Sequence, residues 1–247
     1  MIRTLAATTV AVLGGAAAVA GLYWGFLNTP ESTIFTLALS ALLVLAALAL
    51  SAITVNAVLL AWTEGGLSPG VARRALRHLP AALPPAVLVA AVWWAVLRGE
   101  GWVQLHSGEI SAWFIAQFGW ADVTWLFRAA AWIGLWLRWV VAPFAALVWW
   151  RQILGGAWQP SRAAVRDAVH PGRVLAATAT VAVLVWVPWT QVVPWRPRAI
   201  APGISELLFV GAKLGLVAVL TALASTLLAR TASIARPASS PPAPTHV

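Results

Sequence analysis

Two cations interrupt stretches of sequence that are otherwise apolar. Arg138 sits near the middle of the run about Ala129 to Trp150, and Lys213 lies early in the run Ile204 to Ala229. A charge held in hydrocarbon costs at least about 2.5–3.5 kcal/mol, so such residues face a bundle interior, a water-filled cavity or a partner. Both runs enter from the same side, which puts the two cations at similar depth, and no carboxylate is expected at that depth in any run. Glu206 lies one heptad from Lys213 on the same helix face, about 10 Å higher at the rise of an α-helix. The chemistry open to these residues is electrostatic. Arg138, Lys213 and Glu206 make a candidate pocket for an anionic group, such as a lipid phosphate or a carboxylate. In the competing reading both cations snorkel to the headgroups, Lys213 towards Glu206. Gly211 and Gly215 flank Lys213 at a spacing that lets another helix approach closely.

Catalytic constellations are missing. No apolar run holds an Asp, and the chain has no Cys, no H-E-x-x-H zinc pattern, no Gly-x-Ser-x-Gly elbow and no Walker loop. No His lies in a run to serve as a base, and the paired His ligands that clamp a haem are lacking. His106, Glu109 and Asp122 lie near one another in sequence, but their spacing matches no metal-ligand pattern. The expectation is a protein without enzymatic activity, cofactor or bound metal.

Composition sets the class. Of 247 residues, 61% are hydrophobic and 9% charged, where a soluble domain carries about 25% charged residues. A mean hydropathy of +0.85 excludes both a water-soluble globule and a largely disordered chain. The net charge of +9 would suggest nucleic acid in a soluble protein, but Arg and Lys collect in the cytoplasmic loops of membrane proteins, so no nucleic-acid partner is expected. Lys213 is the only lysine; its isolation among abundant Ala, Arg, Pro and Trp suggests GC-rich codons and a bacterial source.

Six apolar runs can cross about 30 Å of hydrocarbon. They are Leu5 to Leu27, Ile34 to Trp62, Ala81 to Leu97, Ala129 to Trp150, Val174 to Val193 and Ile204 to Ala229. The fold class is therefore an all-α integral membrane protein, a six-transmembrane-helix bundle. The first run also resembles a cleavable signal peptide, with Arg3 ahead of it and Ala18-Val19-Ala20 as a cleavage site. Its continuation to Leu27 and the spacing of Gly21 and Gly25 favour a retained helix. Orientation follows from the basic residues. Arg3, Arg73, Arg74, Arg77, Arg151, Arg162, Arg166, Arg173, Arg230 and Arg236 lie on one side, against Arg98, Arg128, Arg196 and Arg198 on the other. Ten against four places both termini in the cytoplasm, with the protein in a bacterial inner membrane. Residues 1–230 form the transmembrane domain, and the Pro-, Ser- and Ala-rich residues 231–247 form a disordered cytoplasmic tail.

The two connections assigned to the cytoplasm share a layout. One reads Gly65-Gly66, Pro69, Arg74, His78, Pro80 and the other Gly155-Gly156, Pro160, Arg166, His170, Pro171. Each follows one span and precedes another, so residues 34–98 and 129–193 are candidate units of a parallel repeat. Each connection contains a basic amphipathic helix. Ala72, Ala75, Leu76 and Leu79 oppose Arg73, Arg74, Arg77 and His78; Val165, Ala168 and Val169 oppose Arg162, Arg166, His170 and Arg173. Such helices are expected at the inner interface, with their arginines on anionic lipid phosphates. The sharper reading has them docking a cytoplasmic partner, in a way similar to the coupling helices of transporter permeases.

On the opposite side Ser107 can cap a helix carrying Ile110, Trp113, Phe114, Phe118 and Ala121, with Trp120 beside it, and this outer helix belongs to an aromatic belt. Most of the 17 tryptophans fall near span ends, but Trp132, Trp136 and Trp139 share one face inside the fourth span. Two functions fit. The first is an integral subunit or scaffold of a larger membrane complex, with membrane lipids and other membrane or cytoplasmic subunits as partners. The alternative is a permease or lipid-handling transporter, using the cationic pocket and a separate ATPase. The layout resembles six-span bacterial membrane domains of unassigned function, without a motif that selects one family.

Overall fold

Long runs of Ala, Leu and Val leave the backbone no partner but itself, and every described element of the chain is helical. The computed structural model describes residues 1–30, 33–120, 122–195 and 203–234. Six helices are long and apolar enough to cross a membrane: α1 (Ile2–Leu27), α2 (Ile34–Glu64), α4 (Leu79–Leu105), α6 (Thr124–Leu154), α8 (Pro171–Val192) and α9 (Ile204–Ser233). Between them lie three short helices, α3 (Pro69–Arg77), α5 (Ser107–Phe118) and α7 (Arg162–Ala168). All six apolar runs are thus helical. The largest difference is at α4, which continues past Leu97 to Leu105. The last helix includes Thr231, Ala232 and Ser233, with Ala232 buried, and residues 235–247 lie outside the described residues.

Helix ends follow local chemistry. Thr33 and Thr36 form a capping box at the start of α2, and Gly65 ends α2 in the left-handed region at φ +84°, a conformation that other residues rarely adopt. Serine and threonine hydroxyls inside the spans donate back to carbonyls one turn earlier, as Thr8 does to Thr4 and Thr226 to Ala222. These polar groups therefore need no water.

In the bundle α9 packs against α1, α2, α6 and α8, and α6 also packs on α4. One end of the bundle carries the basic helices. Thr4 of α1 donates to the carbonyl of Gly65 after α2, and Arg151 near the end of α6 donates to the carbonyl of Ala232 in α9. The first turn of α1 and the last turn of α9 therefore sit with α3 and α7. The packed core lies towards this basic end, around Leu59, Phe144, Ala177 and Ala229. The opposite half of α2 bares Leu37, Leu42, Leu45 and Leu48. Small residues set the close approaches: a Cβ on Gly15 would sit 2.5 Å from the Thr54 hydroxyl. The tight α1–α2 contact is thus at Gly15, whereas Gly21, Gly211 and Gly215 have open space around them.

Candidate functional site

Pro143 shapes the surroundings of Arg138. A proline donates no backbone hydrogen bond, and its ring crowds the carbonyl four residues earlier. The helix responds with a π-turn over Leu137–Val141, in which the Ala142 N–H reaches back five residues to the Leu137 carbonyl. In that register the next donor, to the carbonyl of Arg138, would be residue 143, which has none. The indole Nε1 of Trp93 in α4 supplies the bond instead, at 3.1 Å, with its ring edge-on to Trp139 at 5.0 Å. The same offset recurs in α8, where a π-turn over Ala182–Trp186 is followed by Val187 and Pro188. Such π-turns are frequent at functional sites.

The guanidinium of Arg138 donates to Glu100 Oε1 at 2.7 Å and, through Nε, to the carbonyl of Gly134 at 3.3 Å. Only 15% of the Arg138 side chain and 26% of the Glu100 side chain are exposed. This corrects the expectation that no carboxylate on the spans meets the cations, because Glu100 on α4 pairs with Arg138. Hydropathy fails across Arg98-Gly99-Glu100-Gly101, yet the helix does not, so Glu100 is carried on α4 rather than in a loop. Gly134 makes room for it, because a Cβ there would overlap the Glu100 carboxylate.

Lys213 has different surroundings. Its Nζ donates to the carbonyls of Val193 at 2.8 Å and Trp195 at 2.9 Å, and lies 4.9 Å from the centre of the Phe209 ring. Those carbonyls follow the end of α8, where a helix leaves its last acceptors unpaired and favours a cation. Glu206 is exposed in the first turn of α9, and among the described residues it makes no ion pair with Lys213. Among the described residues Arg138, Lys213 and Glu206 therefore share no hydrogen-bond partner. Arg138 belongs with Glu100, and Lys213 with the end of α8.

The basic end holds a polar anchor that the sequence reading missed. Asn56, fully buried in α2, donates to the carbonyls of Ala75 at 2.9 Å and His78 at 3.1 Å, and accepts from the Trp150 indole at 2.7 Å. A lone Asn in an apolar run was the available signal, since it is tolerated there only when bonded. It ties α2, the end of α3 and α6 together. At the other connection the Gln152 side chain brackets Ser161, donating to its hydroxyl at 2.6 Å and accepting its N–H at 3.3 Å. Arg74 pairs with Glu64, and Arg173 with Asp167 at 3.2 Å. Arg73, Arg77, Arg162, Arg166 and His170 are exposed, while His78 is half-buried.

The buried stripes of the short helices differ from those expected. In α3 Val71 and Ala75 are fully buried, while Ala72 and Leu76 are exposed. In α7 Ala164 is buried and Ala168 half-buried, while Val165 and Val169 are exposed. The reason is common to both. Ser68 accepts the N–H of Val71 and Ser161 that of Ala164, and the inward positions follow three and seven residues after each serine. A cavity of about 440 Å³ between the ends of α2, α6 and α7 is lined by Glu64, Arg151, Gln152, Ser161 and Asp167.

At the other end Trp120 stacks on Phe114 at 5.3 Å and on Phe118 at 5.1 Å, and Trp113 meets Phe118 edge-on at 5.7 Å. Ser107 does not cap this helix, since its hydroxyl donates back to the Gln104 carbonyl at 2.9 Å, and α5 follows α4 after the single residue His106. Asp122 accepts the Thr124 N–H at 2.8 Å. Hydrogen bonding from Thr124 holds the Asp122 carboxyl below the ordinary carboxylate range. Trp132, Trp136 and Trp139 line one apolar cavity of about 350 Å³ together with Trp186 of α8, and Trp136 donates to the Thr178 hydroxyl at 2.9 Å. Among the described residues no three His, Asp or Glu side chains are grouped to hold a metal ion.

No known family model, curated protein or solved structure matches this chain.

Proposed function

We propose that this chain is a six-span integral subunit or scaffold of a larger membrane complex, with no catalytic role of its own. The observation that carries this reading is how the polar groups of its long helices are engaged. Arg138 is held by Glu100 and the Gly134 carbonyl, Lys213 by the carbonyls of Val193 and Trp195, and Asn56 by Ala75, His78 and Trp150. Each joins one helix to another or closes a helix end, which suits a rigid frame better than a transport path, where polar groups are kept for the cargo.

The basic end supports the rest of the reading. The excess of arginines at α3, α7 and the ends of α1 and α9 suits the cytoplasmic face of a bacterial inner membrane. There the exposed Arg73, Arg77, Arg162 and Arg166 rest on anionic lipid phosphates and meet a cytoplasmic or membrane partner. The matched serine caps and buried stripes of α3 and α7 favour a parallel repeat over residues 34–98 and 129–193. The test is native mass spectrometry of the full chain after gentle extraction from its own membrane. A stoichiometric protein partner is expected, lost when Arg77 and Arg166 are replaced by Glu. A chain that always emerges alone overturns the proposal.

A further inference from the structure

The ion pair between α4 and α6 does not lie in a closed core. It lines a groove of about 750 Å³ whose walls include Gly99, Gln104, Phe127 and Ala131. Both partners have capacity left. A guanidinium offers five N–H groups, and among the described residues those of Arg138 make two hydrogen bonds, to Glu100 and Gly134. Glu100 accepts through Oε1 alone, and among the described residues its Oε2 accepts no hydrogen bond. Depth follows from helix rise: Glu100 lies about 31 Å above the first residue of α4, close to the roughly 30 Å thickness of a hydrocarbon core. An apolar groove therefore opens beside a partly satisfied pair of opposite charges at the level of lipid headgroups.

We infer that this groove binds a zwitterionic phospholipid bearing a primary ammonium, of the phosphatidylethanolamine kind. The inference rests on the membrane-embedded reading above and adds a ligand to it. The charges select the occupant. A bare anion drawn to Arg138 meets the Glu100 carboxylate beside it, and a bare cation drawn to Glu100 meets the guanidinium, so either alone is disfavoured. A headgroup carrying both charges a few bonds apart satisfies the pair in one step. Its phosphate accepts from the remaining Arg138 N–H groups, its ammonium donates to Glu100, and an acyl chain covers the apolar wall. A quaternary choline head has the same net charge but no N–H to donate. That separates a hydrogen-bonded headgroup from mere charge balance.

The experiment uses the full-length chain reconstituted into bilayers and released for native mass spectrometry. The bilayers hold equal parts of phosphatidylethanolamine, phosphatidylglycerol and phosphatidylcholine with identical acyl chains. The wild-type chain should retain phosphatidylethanolamine about tenfold over either competitor, the size of one charge-assisted hydrogen bond. Glu100→Gln should abolish that preference and raise phosphatidylglycerol at least to parity, because Arg138 is then an uncompensated cation. Equal retention of the three lipids by the wild type needs no variant to fold and overturns the inference, as does an unchanged preference in a folded Glu100→Gln chain. A chain that stays outside the bilayer overturns the membrane reading and this inference together; an inserted chain without a lipid preference overturns this inference alone.

Discussion

Gly134 governs the Arg138–Glu100 pair more directly than its chemistry suggests. Its missing Cβ is the space the Glu100 carboxylate occupies, and Val96 of α4 closes the other side, 3.1 Å from where a Cβ would stand. Gly134→Ala should push the carboxylate away while leaving the guanidinium in place. Loss of one partner from a poorly hydrated charged pair costs about 1–3 kcal/mol. Thermal unfolding in a mild detergent should therefore show a destabilised chain, and adding Glu100→Ala to Gly134→Ala should cost little more, because the pair is already broken. Full additivity of the two changes would show that Gly134 does not act through Glu100. Asn56 works on the same principle without charge: its amide makes three bonds, to two backbone carbonyls and an indole, and it is fully buried.

Proline placement controls the geometry of two spans. In α6 the π-turn before Pro143 frees the Arg138 carbonyl and α4 answers with the Trp93 indole, so a break in one helix becomes a link to its neighbour. Pro143→Ala restores a backbone donor, and the Arg138 carbonyl no longer needs Trp93. Trp93→Phe should then cost about 1 kcal/mol in the wild-type chain and close to nothing in the Pro143→Ala background. A double-mutant cycle on unfolding free energy measures this, and an equal cost in both backgrounds would refute the linkage. Elements of this kind were only half legible in advance. Every span was visible, because length and hydropathy are properties of the local sequence. The Glu100–Arg138 pair was not, since 38 residues separate its members and charged residues flanked by glycines mimic a loop. In the stripes of α3 and α7, Ala75 and Ala168 lie inward as expected, but Val71 and Ala164 were missed. Which face of a short helix is buried depends on what it lies against, and there Asn56 and the serine caps decide.

The whole bundle divides into a packed basic end and an open aromatic end. At the first, the start of α1 and the last turn of α9 are tied to the α2 and α6 ends by Thr4–Gly65 and Arg151–Ala232 bonds. At the second, α5 leaves Trp113 and Phe118 bare, each 54% exposed. Water does not tolerate so much apolar surface, and a bilayer does. Six spans with α3 and α7 at one end require that Arg3, Arg73 and Arg166 share a compartment and that Glu109 lie across the membrane from them. All four are exposed, and the chain contains no cysteine, so a thiol placed at each position is the sole target for a membrane-impermeant maleimide. In intact cells Glu109→Cys should label, whereas Arg3→Cys, Arg73→Cys and Arg166→Cys should label only after permeabilisation. Labelling of Arg3→Cys from the same side as Glu109→Cys would mean an odd number of crossings between α1 and α3 and would undo the six-span arrangement. Labelling of Arg73→Cys and Arg166→Cys from opposite sides would remove the parallel repeat, because its two units would then point in opposite directions.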